Sequence, residues 1–181
     1  MKKGPASTAA LVTLGASMMF TSAVAEASSG SEWKQCVKTP LVRFNGTIVD
    51  AAIATPALST LVDLVVQAGL GGALSAPGNL TVFAPTNAAF AAVPEPLLTA
   101  IGSDNAVLTA VLTYHVTAGP ADPRVNLIPR EVTTLQGQTV FLDYDRSPQI
   151  NQSNAACQGV RTTNGTVWIV DSVLLPQFRQ L

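Results

Sequence analysis

The chain has 181 residues, with 10 basic and 11 acidic side chains and a formal net charge of −1. Charged residues make up only 12% of it, so its polar surface must come largely from Thr, Ser, Asn and Gln. A weakly acidic chain without clustered positive charge lacks the electrostatic footprint of a nucleic-acid-binding protein. It also lacks the polybasic cluster that favours anionic membranes.

The first 25 residues have the organisation of a secretory signal peptide. Lys2 and Lys3 form a short basic region, an apolar stretch over 9–24 follows, and Ala23-Val24-Ala25 supplies the small-residue cleavage pattern. Cleavage after Ala27 is the nearby alternative. A membrane anchor is disfavoured because Thr and Ser interrupt an apolar run that would need about 20 residues to span. We therefore predict export, with a mature chain long enough for one domain.

Cys36 and Cys157 are the only cysteines. Two cysteines in an exported chain are most simply explained by a disulfide, here between the N-terminal lead-in and the loop before the last hairpin. A pair of free thiols is one alternative. A metal site is the other, although the chain has a single histidine to contribute.

The first part of the mature chain predicts a lead-in followed by helices. Residues 26–46 lack periodicity and are interpreted as a lead-in to the domain. Thr47 is placed to cap a helix over 48–54. A second helix follows Pro56, ends at Gly69 and carries apolar residues with a helical period. This stripe consists of Leu58, Leu61, Val62, Val65 and Val66. Glycine and proline make 71–78 a turn-rich link.

The next segment predicts a strand, a corner and a short helix. Residues 80–83 are β-branched and apolar, as in a buried strand, and Pro85 ends it because proline donates no ladder hydrogen bond. Thr86 or Asn87 can cap a helix over 88–92. Residues 97–101 are predicted to form another brief helix, and Asp104 is placed to cap a helix over 105–114.

The last part of the chain predicts strands. Residues 131–134, 139–144 and 160–163 have strand composition. Asn164-Gly165 predicts a two-residue hairpin turn in which both residues take positive φ. Helices first and strands later indicate the α+β class.

No part of the sequence predicts an enzyme. There is no Gly-x-Ser-x-Gly elbow or phosphate loop, and Asp143 and Asp145 alternate on a strand without a calcium-loop pattern. His115 could be a general base or an adhesion determinant, but we interpret it as structural because no nucleophile or acid accompanies it in a motif. We predict no cofactor and no metal.

Three segments resemble the signature regions of the fasciclin (FAS1) family. They are residues 80–90, 108–116 and 164–176, in the family's order and spacing. One departure is Trp168, which occupies a position where many relatives carry histidine or another polar residue. The resemblance implies a single FAS1 domain over 47–178, built as a β wedge with several short α-helices packed along it.

The resemblance implies a non-enzymatic adhesion or extracellular-matrix interaction module. Most signature residues are expected in the core, among them Val82, Phe83, Val167 and Ile169. The expected exposed contacts are Thr86, Asn87, Tyr114, His115 and Asp171. The partner would be a protein, polysaccharide or lipid, in the periplasm, at the cell surface or outside the cell. The alternative is a carrier of an apolar lipid or pigment, which needs a pocket of about 300–1,000 Å³ between helices and wedge.

Overall fold

The computed structural model describes residues 29–125, 131–143 and 147–177. The predicted signal peptide over 1–25 therefore lies outside the described residues. Within them the α-helices are α1 Ser29–Lys38, α2 Ile48–Ile53, α3 Ser59–Gln67, α4 Gly71–Ser75, α5 Asn87–Ala91, α6 Glu95–Ser103 and α7 Asn105–Tyr114. The strands are β1 Val42–Arg43, β2 Leu80–Pro85, β3 Val116–Ala118, β4 Glu131–Thr133, β5 Thr139–Asp143, β6 Gln149–Ile150, β7 Ser153–Asn154, β8 Val160–Arg161 and β9 Gly165–Val170.

Two sheets and a layer of helices make an α+β fold, as the sequence predicts. The first sheet has the strand order β1-β8-β9-β2-β3 and the second has the order β4-β5-β6-β7. At the centre of the first sheet, β2 and β9 pair in parallel from Leu80 opposite Gly165 to Pro85 opposite Val170. Two of the three signature segments are therefore adjacent strands. The third joins them, because β3 pairs with β2 and the Phe83 N–H donates to the His115 carbonyl at 2.9 Å.

The core has two parts, one on each face of the central strands. Alternate residues of a strand point to opposite faces, so β2 places Val82 among the helices and Phe83 against the second sheet. The helical part includes Leu58, Leu108 and Leu112. The part between the sheets includes Val140, Ile150 and Trp168.

Helix starts are where the capping residues predict them. Thr47 and Asp50 form a capping box at α2, and the Asp104 carboxylate accepts hydrogen bonds from two N–H groups of α7. Of the two candidates for α5, Thr86 is the cap, since its hydroxyl accepts from Ala89 N–H at 3.2 Å. Gly69 lies just after α3 and has a φ of +70°, as expected of a glycine that ends a helix.

Several sequence-based predictions of local structure are wrong. The lead-in contains α1 and β1, and β1 pairs in parallel with β8. The link over 71–78 begins with the short helix α4. Val66 is 69% exposed, since the buried face of α3 is formed by Leu61 and Val65. Ile169, expected in the core, is only partly buried.

The hairpin at Asn164-Gly165 forms, but without the predicted turn. The loop between β8 and β9 is residues 162–164, Arg161 pairs with Thr166, and neither Asn164 nor Gly165 has positive φ. Asn164 is instead a buried connector. Its side-chain oxygen accepts from Ile48 N–H at 2.9 Å, and its amide donates to the carbonyls of Leu74 and Ala76 at 2.8 and 3.0 Å.

A disulfide and a buried arginine hold the N-terminal segment on the second part of the core. Cys36 and Cys157 are bonded, with Cα atoms 4.9 Å apart, which confirms the predicted bridge. The Arg124 guanidinium lies 4.6 Å from the ring centre of Trp168 and forms a bidentate pair with Asp122. It also donates to the carbonyls of Thr39 and Cys157, one on each side of the bridge.

Within residues 29–125, 131–143 and 147–177, no single helix is long and apolar enough to cross a membrane. Only the pair α6 and α7, bent by 107° at their junction, reaches that length and composition when taken together.

Candidate functional site

His115 is a structural residue by its contacts. It follows the last residue of α7, and its ring is only 2% exposed. Nε2 accepts a hydrogen bond from the Leu174 N–H at 2.9 Å, so Nδ1 carries the proton and donates to the Val111 carbonyl at 2.8 Å. Burial lowers the pKa of His115 to about 4, and the hydrogen bond to Val111 opposes this shift. Both ring nitrogens are thus engaged by the backbone.

This geometry predicts a pH dependence of stability. Because the folded-state pKa lies below the unfolded value of about 6.5, the unfolded chain binds the proton more tightly. The contribution of His115 is complete above pH 6.5, declines as the pH falls, and is lost by about pH 4, a loss of about 3 kcal/mol. We expect His115→Gln to be less stable at pH 7 but to show a shallower decline between these limits. Urea unfolding across this pH range measures both curves, and parallel curves would contradict the assignment.

Tyr114 forms part of the floor of an open groove. Its ring is 5% exposed, and its hydroxyl donates to the Thr139 carbonyl at 3.2 Å. The same hydroxyl accepts from the Asn151 amide at 3.0 Å. Tyr114 thereby fixes the end of α7 to the first residue of β5 and to the turn between β6 and β7.

The groove has a volume of about 1010 Å³ and lies between the second sheet and the C-terminal segment 172–177. Its lining comes from Tyr114 and from residues 136–141, 151–153 and 172–177. Its amide side chains are Gln136, Gln138, Asn151, Gln152 and Gln177. Its hydroxyl groups are those of Tyr114, Thr139, Ser153 and Ser172. The apolar residues are Phe141, Val173, Leu174 and Leu175.

Side-chain hydrogen bonds hold the walls of this groove in place. Gln138 pairs with the backbone of Gln177 in both directions, accepting from its N–H and donating to its carbonyl, each at 2.8 Å. Ser172 of the C-terminal segment donates to Ser153 of β7 at 2.6 Å. Leu174 is fixed from behind by His115. The groove is therefore a preformed surface, with His115 and Tyr114 supporting it from the interior.

The five predicted contact residues do not form one site. Tyr114 lies in the groove, and His115 lies behind it. Asp171 is exposed next to the groove wall, but its carboxylate accepts from the backbone and side-chain N–H groups of Asn154 at 2.9 and 2.7 Å. Thr86 and Asn87 lie at the start of α5, outside the groove lining. Asn87 accepts from Thr60 N–H at 3.0 Å and so fixes α5 to α3.

An apolar cavity of about 70 Å³ lies between the helices and the first sheet. Its walls come from α2, α3, β2 and β9, and Ile53 and Val66 at its edge are 63% and 69% exposed. This is the place where the carrier hypothesis needs a pocket. The volume is several times smaller than the about 300 Å³ at the lower end of ligand pockets.

The described residues contain no group of three or more His, Cys, Asp or Glu side chains placed to hold a metal ion. The predicted alternation of Asp143 and Asp145 on one strand stays a prediction, since 144–146 lie outside the described residues. The groove amides and Phe141 were not predicted as site residues. The alternating pattern of β5, which turns Phe141 outward, is the sequence signal that could have identified Phe141 as a site residue.

Comparisons with known proteins agree with this arrangement. Residues 56–176 match the fasciclin domain. The chain is 38% identical over 136 residues to the immunogenic protein MPB70 of Mycobacterium bovis, covering 70% of this chain and 67% of that protein. It is 37% identical over 139 residues to the cell surface glycolipoprotein MPB83 of the same species, covering 71% and 60%.

A solved structure supports the fold independently of sequence. It is a FAS1 domain pair from the insect cell adhesion molecule fasciclin I, which aligns with a TM-score of 0.56 over 73% of this chain and 51% of that one. The sequence identity is 12%, so the likeness concerns the fold alone. The family match over most of the described chain, the two relatives and this shared fold lead to one conclusion. The chain belongs to the fasciclin domain family.

Proposed function

We propose that the protein is an exported, non-catalytic interaction module that attaches to a partner at a cell surface or in a matrix. Export rests on the signal-peptide organisation of residues 1–25, with the mature chain starting at Glu26. A relative supports a surface role, since MPB83 is a cell surface glycolipoprotein. The single FAS1 domain is proposed to run over 47–178.

The observation that carries the proposal is the groove floored by Tyr114. It is open, it has a volume of about 1010 Å³, and its walls are fixed by internal hydrogen bonds. A preformed surface loses little conformational entropy when a partner binds. Of the residues predicted from sequence, we propose that Tyr114 in the groove and Asp171 next to it contribute to this surface. Thr86, Asn87 and His115 support the scaffold.

Retention on cell-envelope material from the producing organism tests the proposal. We expect the mature protein to be retained and Phe141→Ala to bind about tenfold more weakly, as for the loss of a central aromatic contact. Phe141 is 55% exposed, so its truncation should leave the melting temperature nearly unchanged. Binding of fluorescently labelled protein in a sedimentation assay measures the effect.

Ile53→Ala is the matched control for this experiment. Ile53 is also a large exposed apolar residue, but it lies at the edge of the apolar cavity. If Ile53→Ala lost retention while Phe141→Ala kept it, the contact site would be the cavity and not the groove. Absence of retention for every variant and for the parent protein would contradict the proposed function.

The second candidate function is an apolar-ligand carrier. It is favoured by the largely apolar lining of the cavity, at whose edge Ile53 and Val66 are exposed. The volume of about 70 Å³ requires α2 and α3 to separate before a lipid or pigment could enter. The groove needs no such opening, and for this reason we place the interaction module first.

A further inference from the structure

We infer that the groove binds a neutral polysaccharide. The inference rests on the proposed function and specifies the chemical class of the partner. It draws on three properties of the groove: a described lining without charged side chains, the amide donors of Gln136 and Gln152, and the exposed ring of Phe141.

Among the described residues, the lining contains no Asp, Glu, Lys, Arg or His. A charged ligand that enters such a groove loses water without gaining a compensating charge, which is unfavourable. Glu131 is opposite Phe141 in the pairing of β4 with β5, and it is exposed at the margin without being part of the lining. A neutral partner therefore fits the lining better than an anionic or cationic one.

The polar groups match the hydroxyls of sugars. A hydroxyl both donates and accepts, and a side-chain amide offers two donors and one acceptor. The oxygen of Gln136 accepts from Gln138 N–H at 3.1 Å, which leaves its NH₂ group to donate outward. Gln152 is exposed, and its amide has no hydrogen-bond partner among the described residues. Both donors belong to the groove lining and can bind the hydroxyl groups of a sugar.

Phe141 supplies the apolar contact that a sugar ring needs. Its side chain points outward from β5 and is 55% exposed, and Leu175, another residue of the lining, is 40% exposed. The C–H face of a pyranose ring can cover the face of an aromatic ring and remove it from water, while the hydroxyls at its edge remain available to the amides. A lipid chain would leave the amide donors without partners.

The position of β5 in its sheet argues against an extended peptide at Phe141. A peptide that adds a strand needs a free sheet edge, and β5 lies between β4 and β6. The Thr139 carbonyl already accepts from the Tyr114 hydroxyl at 3.2 Å. The N–H and carbonyl of Phe141 are both engaged by Asn151, at 2.8 and 2.7 Å. A ligand at Phe141 would therefore contact side chains and not free backbone groups, as a polysaccharide does.

Affinity electrophoresis tests this inference, with dextran and mannan as neutral polysaccharides in the gel and alginate as the anionic one. We expect retardation by at least one neutral gel and none by alginate. Phe141→Ala should bind about tenfold more weakly, whereas Ile53→Ala and Glu131→Gln should match the parent protein. Raising the salt from about 0.05 to about 0.5 M should have little effect, since no ion pair contributes. Retardation by alginate alone, or equal retardation of Phe141→Ala, would overturn the inference.

Treatment of the envelope material separates this inference from the proposed function. Periodate cleaves vicinal diols of sugars, and protease removes protein partners. Retention abolished by periodate but resistant to protease supports the polysaccharide. Groove-dependent retention abolished by protease and resistant to periodate overturns it in favour of a protein partner, while the proposed interaction function stands.

Discussion

Replacing Gly165 with alanine should destabilise the protein by about 4 kcal/mol or more, or prevent folding altogether. A Cβ atom at this position would lie 2.1 Å from the Leu80 carbonyl oxygen and 2.8 Å from Cδ1 of Ile48. Gly165 is the first residue of β9 and pairs with Leu80 of β2. The carbonyl belongs to the backbone of the central parallel pair, so it cannot move aside as a flexible side chain would. Denaturant unfolding of the purified mature protein measures the loss.

Gly72→Ala is the matched control for Gly165→Ala. Gly72 lies in α4, and a Cβ there would meet no atom within 4 Å. Alanine in a helix is favoured over glycine by roughly 0.5–1 kcal/mol, so this variant should be as stable as the parent or slightly more stable. A Gly165→Ala protein within about 1 kcal/mol of the Gly72→Ala protein would show that the two central strands can separate without cost, contrary to the close packing of interiors.

Local chemistry explains why much of the fold could be predicted from sequence. Thr47, Thr86 and Asp104 cap helices through hydrogen bonds to residues two or three positions away, so the sequence holds both partners. The apolar run of β2 likewise reflects burial on both faces of a central strand. The signature segments added the long-range information that places β2 beside β9.

The failures of prediction concern contacts between distant residues. Asn164-Gly165 has the composition of a tight hairpin turn, but both residues serve partners more than 80 positions away. Asn164 satisfies backbone groups at the start of α2 and the end of α4, and Gly165 allows β2 to approach. Turn propensity alone could not reveal either role, because it describes only the neighbours in sequence.

The candidate site was predicted only in part for the same reason. Tyr114 and His115 stand out in the sequence, yet one forms the floor of the groove and the other holds its wall from the interior. The accessible groups come from polar segments of ordinary composition, among them Gln136 and Gln152. Such residues acquire a role only when β5, the β6–β7 turn and the C-terminal segment are brought together.

Removing the disulfide should lower the free energy of unfolding by about 4–5 kcal/mol in the chain-entropy model. Cys36 and Cys157 are 121 residues apart, so the bridge closes a long loop and restricts the unfolded chain strongly. The native contacts should survive in the Cys36→Ser, Cys157→Ser double variant, because Arg124 still connects the carbonyls of Thr39 and Cys157. We therefore expect a nearly unchanged circular dichroism spectrum and a lower urea midpoint.

The parent protein in reducing agent is the control for this variant, and the two should unfold at the same midpoint. Addition of Arg124→Met to the double variant should then release the N-terminal segment, because no charged group would bind the two carbonyls beside the stacked Trp168. Proteolysis near α1 would report that release. A double variant as stable as the oxidised parent would contradict the expected contribution of the bridge, and two reactive thiols in unreduced, denatured protein would exclude the bridge itself.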